Sequence, residues 1–247
     1  MKVGIIGGTG LYEMEGEAIV VETNYGDVEM IFFEKHDRQI FFIPRHGKKH
    51  KPAHSVNYFA NIEAMKNAGV EAIIATSTVG SMKKEIKPGS IFIPNDFIDF
   101  TRRKTTFFDD EAVHIDMSQP FCPIIRKILF EEARKQSIAH EGVYVVTQGP
   151  RLETKAEISM LRNFADVVGM TLFPEIVLAR EKGICYASLC IVSNFAAGLQ
   201  EKLDIEEIKR IYENKKRVVL SIIDGCIKRL PEERKCDCKN AADKGRI

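Results

Sequence analysis

Residues 3–10 read VGIIGGTG, an apolar run that gives way to a cluster of glycines. A short apolar run bounded by turn residues is typical of a buried strand. A glycine-rich turn after a strand presents backbone N–H groups that can hold an anion. The stretch therefore predicts a first core strand followed by an anion site, and the next question is which phosphate compound binds there.

Similar β-rich apolar runs recur along the chain, and helical patterns separate several of them. The runs span residues 3–6, 19–22, 30–33, 39–43, 72–75, 90–93, 143–147, 167–170 and 185–192. The helical patterns span residues 55–68, 121–136, 154–163, 174–182 and 205–229. This alternation predicts an α/β fold with helices on both faces of one sheet. The early strands follow one another without helices, so the sheet should be mixed.

No linker, repeat or low-complexity segment divides the chain of 247 residues. We therefore expect one domain over residues 1–230, followed by a polar C-terminal tail over residues 231–247. Lys and Arg number 36 against 35 Asp and Glu, which leaves no overall field to attract nucleic acid or an anionic membrane. The sequence lacks a membrane-spanning apolar stretch and a secretory signal, so we expect a cytoplasmic protein.

The six cysteines are many for a reducing compartment, and most should be small buried residues. Cys236 and Cys238 form a Cys-x-Cys motif in the polar tail, between Lys235 and Lys239. Their spacing is too short for the usual zinc knuckle. A mobile tail without a role and a stabilising or redox disulfide both stay open as interpretations.

The glycine stretch does not fit the two commonest nucleotide motifs. A dinucleotide fingerprint needs a crossover helix and an acidic residue about 20 positions further on. Here only residues 11–16 separate the glycines from the next strand-like run, and position 13 is a glutamate. The Gly-Lys-Ser/Thr of a P-loop is also missing. A turn around Thr9 that holds a single anion is the interpretation that survives.

Three further loops leave predicted strands with cationic or hydroxyl side chains, over residues 43–50, 75–81 and 169–172. Arg45 offers a fork of donors that matches phosphate oxygens, and His46 follows it directly. Ser77, Thr78 and Thr171 supply hydroxyl groups. Ligands in open α/β sheets bind beyond the carboxyl ends of strands, so the loops together predict one site for a free phosphate ion.

The order of motifs along residues 1–230 carries a family resemblance. The motifs are Gly-Gly-Thr-Gly at 7–10, Pro-Arg-His-Gly at 44–47, Val-Asn-Tyr at 56–58, residues 76–81, Pro-Gly at 88–89, Pro-Phe-Cys-Pro at 120–123, Gly-Pro-Arg at 149–151, Gly-Met-Thr at 169–171 and Pro-Glu at 174–175. In this order they resemble the trimeric purine nucleoside phosphorylases, and within them the 5'-methylthioadenosine phosphorylase branch.

The resemblance implies a single α/β domain around a mixed, partly barrel-like central sheet, assembled as a homotrimer or a dimer of trimers. It implies that a purine nucleoside is cleaved by inorganic phosphate, a pentosyl transfer without cofactor or metal. The implied phosphate ligands are Thr9, Arg45, His46, Ser77, Thr78 and Thr171. Met170 should lie against the ribose.

Two positions depart from the adenine-specific branch. That branch carries an Asp-x-Asp pair where this chain has Asn194 and Ala196, and a serine where this chain has Glu153. Enzymes that act on 6-oxopurine nucleosides carry this asparagine and glutamate, which meet O6, N7 and the N1 proton of the base. The resemblance thus implies that Asn194 and Glu153 are catalytic and bind the base. A turn-forming role for Asn194 and a helix-start role for Glu153 are the structural alternatives.

Two residues are implied at the 5' end of the nucleoside. Ile205 aligns with an apolar residue of the methylthio branch, and His114 with a residue that reaches the site of a neighbouring subunit. An apolar pocket there would favour a thioether over a hydroxyl group. Joined to a 6-oxopurine base site, it implies phosphorolysis of 5'-methylthioinosine, with inosine and guanosine as alternative substrates.

Three alternatives stay open. A 5'-methylthioadenosine phosphorylase would have to tolerate Asn194. A catalytically silent nucleoside-binding protein would keep the pocket without turnover, although each implied phosphate ligand is present. A nicotinamide-dependent dehydrogenase is disfavoured by the missing crossover helix.

Overall fold

The computed structural model describes residues 1–47, 49–202 and 204–247. For Ile205 it describes the backbone and not the side chain. Its strands are β1 (Val3–Gly7), β2 (Glu17–Val21), β3 (Val28–Lys35), β4 (Arg38–Pro44), β5 (Ala72–Ser81), β6 (Ile91–Phe100), β7 (Ala139–Thr147), β8 (Val167–Gly169) and β9 (Cys185–Phe195). Its helices are α1 (Tyr58–Asn67), α2 (Pro123–Gln136), α3 (Lys155–Leu161), α4 (Leu172–Glu181), α5 (Ile205–Arg229) and α6 (Ala241–Gly245). Every predicted strand and helix corresponds to one of these elements.

The strands form one mixed sheet that closes on itself over part of its width. Their order is β2-β3-β4-β1-β5-β8-β7-β6-β9, and β9 also pairs with β5, so these last five strands complete a closed circuit. Strand β1 is parallel to β4 and β5, whereas the β2–β3 and β3–β4 pairs are antiparallel. The prediction of an α/β fold around a mixed, partly barrel-like sheet is confirmed.

Helices cover both faces of the sheet, which explains why its central strands are apolar without alternation. In β1, Ile6 packs in the cluster that holds the buried residues of α1 and α4, and Ile5 packs in the cluster that holds those of α2 and α5. Both isoleucines are buried. The opening stretch is therefore a strand with two covered faces.

The C-terminal tail packs against this core. Cys238 and Ala241 are buried, and the His114 N–H donates to the Gly245 carbonyl at 2.8 Å. These contacts disagree with a mobile tail. Five of the six cysteines are buried and Cys236 is half-buried, as expected for most of them. The division of the chain at residue 230 stays a prediction.

No helix in the described part of the chain combines the length and the apolar character that a membrane crossing requires.

Candidate active site

A cavity of about 330 Å³ opens where β1, β4 and β8 end, beside the last residues of β5 and β9. This volume lies in the usual range for small-molecule sites. Most of the predicted site residues line it, namely Thr9, Arg45, His46, Ser77, Thr78, Glu153, Met170, Thr171, Asn194 and Ala196. His114 is exposed and is not among the lining residues, and the side chain of Ile205 lies outside the described residues.

The glycine turn after β1 brings two backbones into close contact. The Gly8 N–H donates to Thr76 Oγ1 at 2.8 Å, and a Cβ atom at Gly8 would lie 2.5 Å from the Thr76 carbonyl oxygen. Only glycine fits there without a backbone shift. The next residue, Thr9, is exposed and lines the cavity. The turn therefore positions Thr9 by packing β1 against β5.

Arg45 is held by a buried carboxylate for which the sequence suggested no role. Its Nε donates to Glu175 Oε1 at 3.0 Å, and its Nη2 donates to Glu175 Oε2 at 2.6 Å. Its Nη1 donates to the Thr76 carbonyl at 2.7 Å, and Tyr186 Oη donates to Glu175 Oε2 at 2.7 Å. A guanidinium has five N–H donors, so Nη1 and Nη2 each keep one for an anion.

The ion pair also secures the charge of Arg45. Burial by itself would lower the pKa of Arg45, but the neighbouring Glu175 carboxylate outweighs burial and holds this pKa above its ordinary value. Both side chains are fully buried. The cavity therefore has a permanent cation in its wall, fixed in orientation by a bidentate partner.

Two hydroxyl groups, one from β5 and one from the loop after β8, meet in the wall of the cavity that Arg45 also lines. Ser77 Oγ lies 3.1 Å from Thr171 Oγ1, and both residues are buried. The Thr171 N–H faces Tyr144 Oη at 3.4 Å, which ties the loop after β8 to β7. Hydroxyl groups rotate to donate where a ligand needs them, so the pair can present two donors to one oxyanion.

The surroundings of His46 favour the neutral form of its imidazole. Burial, followed by the charge of Arg45, lowers the pKa of His46. Its Nδ1 lies 2.8 Å from the Lys51 carbonyl, so Nδ1 carries the hydrogen and Nε2 is an acceptor in the neutral ring. Donation from Nε2 to an anion therefore requires a second proton on the imidazole.

Glu153 does not start a helix. Helix α3 is capped by Thr154, whose side chain and Glu157 form a complete capping box. Glu153 instead lines the cavity and accepts a hydrogen bond of 2.5 Å from Thr147 Oγ1 at its Oε1 atom. Its second carboxylate oxygen can accept a hydrogen bond from an N–H group of a ligand.

Asn194 lies in β9 at a β-bulge, where the register with β5 shifts between Val79 and Gly80. Bulges re-aim side chains beside active sites. Ser193 Oγ donates to Asn194 Oδ1 at 2.7 Å, and Asn194 Nδ2 donates to the Phe195 carbonyl at 2.9 Å. A side-chain amide has two acceptor lone pairs on its oxygen and two N–H donors. One Oδ1 lone pair and one Nδ2 hydrogen are therefore left for a ligand.

Two more residues of this region escaped the sequence analysis. Arg103 joins two cavity loops, since its guanidinium donates to the carbonyls of Met170 at 2.7 Å and of Gln148 at 3.0 Å. Nothing in the cluster of cations at residues 102–104 indicated this contact. Ile208 lines the cavity from α5, one turn after Ile205. The apolar periodicity of α5 could have predicted it.

With this geometry in place, comparison with known proteins defines the class. Residues 2–228 match the phosphorylase superfamily, and the chain belongs to that family. The match covers the whole sheet and nearly all of α5.

Three relatives place the chain within the family. It is 48% identical to the probable S-methyl-5'-thioinosine phosphorylase of Methanothermobacter thermautotrophicus, over 97% of this chain and 88% of that protein. It is 44% identical to the S-methyl-5'-thioadenosine phosphorylase of Pyrococcus horikoshii, over 96% of each chain. A crystal structure of methylthioadenosine phosphorylase from an antarctic soil metagenomic library has a TM-score of 0.93 and 32% identity, over 100% of this chain and 92% of that one. The names of these relatives divide between two base specificities.

Proposed function

We propose that this protein catalyses the phosphorolysis of 6-oxopurine nucleosides, with 5'-methylthioinosine as the preferred substrate and inosine and guanosine as alternatives. The observation that carries the proposal is the presence of Asn194 and Glu153 in one cavity with Arg45 and the Ser77–Thr171 pair. The 48% identity to a relative named as a probable S-methyl-5'-thioinosine phosphorylase supports it. The products would be the free purine base and 5-methylthioribose 1-phosphate.

The phosphate end of the cavity would supply the nucleophile. A phosphate ion held by Arg45, Ser77, Thr171 and Thr9 would lie below the ribose, where it stabilises the positive charge that develops near C1'. The C1'–N9 bond breaks with its electron pair on the purine, and a phosphate oxygen bonds to C1'. Donors fixed before the reaction lower its barrier through orientation and electrostatics.

The base end would stabilise the leaving purine. As the purine leaves, N7 takes up a proton from water, and the free Oδ1 lone pair of Asn194 accepts a hydrogen bond from N7–H. Asn194 Nδ2 donates to O6, and the Glu153 carboxylate accepts a hydrogen bond from N1–H. Adenine has no N1 proton and carries an amino group in place of O6. Adenine would therefore place its amino donor against the Nδ2 donor of Asn194, and its N1 lone pair against the Glu153 carboxylate. Polar groups left unpaired in this way discriminate strongly between the two bases.

The remaining features of the proposal concern the 5' end and the assembly. The cavity has an apolar lining that favours a thioether, formed by Pro52, Ala53, Leu152 and Ile208.

His114 is exposed and outside its own chain's cavity, which suits a residue that completes the site of a neighbouring subunit. We accordingly propose a homotrimer or a dimer of trimers that works in the cytoplasm, with inorganic phosphate as co-substrate and no cofactor.

Initial rates across five nucleosides test the substrate. The panel is methylthioinosine, methylthioadenosine, inosine, guanosine and adenosine, each with and without phosphate. We expect phosphate-dependent release of hypoxanthine from methylthioinosine at the highest kcat/KM. A higher kcat/KM for methylthioadenosine would identify an adenine-specific enzyme. Binding without product would identify a silent nucleoside-binding protein.

A double substitution tests the base contacts. Asn194→Asp with Glu153→Ser should lower the kcat/KM ratio of methylthioinosine to methylthioadenosine by about 100-fold, since two hydrogen bonds of roughly 1–2 kcal/mol are lost. Asn163→Asp with Glu233→Ser makes the same chemical changes at exposed positions and should leave the ratio unchanged. An unchanged ratio in the first variant would contradict the assignment.

A further inference from the structure

Four cysteine thiols converge where the tail crosses the core. The sulfur atoms of Cys122, Cys185, Cys236 and Cys238 all lie within 4.8 Å of one another. Three of these residues are buried and Cys236 is half-buried. The described lining of the nucleoside cavity includes none of them, so the cysteine cluster is a separate feature of the molecule.

Three separate elements bring the cluster together. Cys122 is the N-cap of α2, and its N–H donates to the Tyr186 carbonyl in β9 at 2.8 Å. Cys185 is the first residue of β9. Cys236 and Cys238 approach from the tail, at the start of a 3-10 turn over Asp237–Asn240. The body of the domain therefore supplies two thiols and the tail supplies the other two.

We propose that this cluster binds one Zn²⁺ ion as a tetrahedral tetrathiolate that fastens the tail to the domain. A zinc–sulfur distance of about 2.3 Å places the sulfurs of such a site about 3.8 Å apart. Cys236 Sγ lies 3.3 Å from Cys185 Sγ and 3.8 Å from Cys122 Sγ. Four sulfurs without nitrogen or oxygen donors are the ligand set that selects zinc over the harder divalent ions.

The four sulfur atoms are arranged as the ligands of a single tetrahedral site. Cys236 approaches two different cysteines of the domain at comparable distances, instead of facing one partner alone. The cluster thus differs from two separate pairs, which is the geometry that two disulfides would impose. A structural zinc site needs this closed set of four protein ligands, with no position left for water.

A cation beside the cluster suits the charge of a tetrathiolate. Four thiolates and one Zn²⁺ carry a net charge of −2, which is costly to bury unless it is compensated. The buried guanidinium of Arg180 lies with Nη1 3.7 Å from Cys238 Sγ. Carbonyls of Asp116 and Gln119 accept from the same guanidinium at 2.9 and 3.0 Å and hold it in place.

The proposed zinc would also brace the segment that carries His114. Beyond the cluster, the tail forms α6, and its Gly245 carbonyl accepts the His114 N–H. Arg246 forms an ion pair with Glu111 in the same segment. A metal that fixes Cys236 and Cys238 therefore fixes the tail against residues 111–114.

Metal analysis of the purified full chain tests the proposal. The protein is expressed with zinc in the medium, purified under an inert atmosphere without reductant or chelator, and measured by elemental mass spectrometry and by intact mass after non-reducing denaturation. We expect about one zinc per chain and the mass of six free thiols. Replacement by Co²⁺ should give the visible bands of a tetrahedral tetrathiolate. Absence of bound zinc, or a mass lower by four hydrogens that reveals two disulfides, would overturn the proposal.

Substitutions locate the ligands. Cys236→Ser and Cys238→Ser should each lose the zinc, whereas Cys226→Ser, at a buried cysteine of α5 outside the cluster, should keep it. Zinc that persists in both tail variants would overturn the assignment. If a tail variant fails to fold, the cobalt spectrum of the unaltered protein decides the question. The proposal is independent of the proposed function, because it is read from metal content, and phosphorolysis is measured separately.

Discussion

The two ends of the candidate active site are built differently. At the proposed phosphate end, Arg45 and Glu175 are fully buried and joined by a bidentate ion pair, and Ser77 and Thr171 are also buried. At the proposed base end, Glu153 and Asn194 are half-buried, and few hydrogen bonds hold their side chains.

Under the proposed function, this difference separates the residues that bind phosphate from the residues that select the base. A buried charged network tolerates little change, because removal of one partner leaves the other unpaired in a medium of low polarity. Half-buried polar side chains that few hydrogen bonds hold can be substituted with a smaller loss of stability. Under the proposed function, substitution of Glu153 and Asn194 should change the base that is accepted without disturbing the proposed phosphate site. The following substitutions test this division.

The largest effect is expected from Glu175→Gln. The variant leaves the Arg45 cation buried without a counter-charge, so the free energy of unfolding should fall by about 3–5 kcal/mol. The KM for phosphate should rise by more than about 100-fold, because the guanidinium loses its bidentate anchor. Denaturant unfolding and phosphate titrations measure the two effects.

Glu63→Gln is the matched control for Glu175→Gln. Glu63 is a buried glutamate in α1 that pairs with Lys182 at 3.4 Å, and it does not line the cavity. Its substitution should leave the KM for phosphate unchanged. An equal rise of this KM in both variants would show that general loss of stability, and not the anchoring of Arg45, is responsible.

Thr171→Val should have the next largest effect, confined to the phosphate end. Loss of one hydrogen bond to a charged ligand costs about 1.5–3 kcal/mol, so the KM for phosphate should rise by about 10- to 100-fold. The kcat/KM ratio of methylthioinosine to methylthioadenosine should stay the same. A change in this ratio would show that the two ends are coupled.

Ser193→Ala should show the opposite pattern with a smaller effect. Ser193 Oγ donates to Asn194 Oδ1, so its loss frees the amide to rotate and should weaken discrimination between the bases by about 3- to 10-fold. The KM for phosphate should not change. Unaltered discrimination would mean that the Asn194 amide is positioned without this hydrogen bond.

The smallest effect at neutral pH is expected from His46→Gln. The pKa of His46 is lowered, so the ring is neutral at pH 8 and gains its second proton only as the pH falls below the ordinary value of 6.5. The ratio of phosphate KM between variant and unaltered protein should be near one at pH 8 and rise in acid. Taking the ratio cancels the titration of phosphate itself. A ratio that is constant from pH 8 to pH 5.5 would exclude a protonated His46 from phosphate binding.

Most of the fold could be predicted from the sequence, since its information is local. Short apolar runs and helical periodicity reflect the geometry of single elements, and each of them corresponds to an observed strand or helix. The hydroxyl, amide and carboxylate side chains at the predicted strand ends are likewise visible in the sequence. The family resemblance is visible in the sequence alone, in the motifs at residues 7–10, 44–47 and 169–171, and it does not depend on their contacts.

Only the tertiary structure decided which distant residues became partners. The β5–β9 pairing that closes the barrel, the Glu175 that holds Arg45 across 130 positions, and the cysteine cluster drawn from residues 122, 185, 236 and 238 leave no periodic trace. The physical reason is that periodicity reports how one element meets solvent and core, whereas a contact between elements depends on how the whole chain packs. The sequence by itself thus determined the elements and the chemical groups, and packing determined which groups meet.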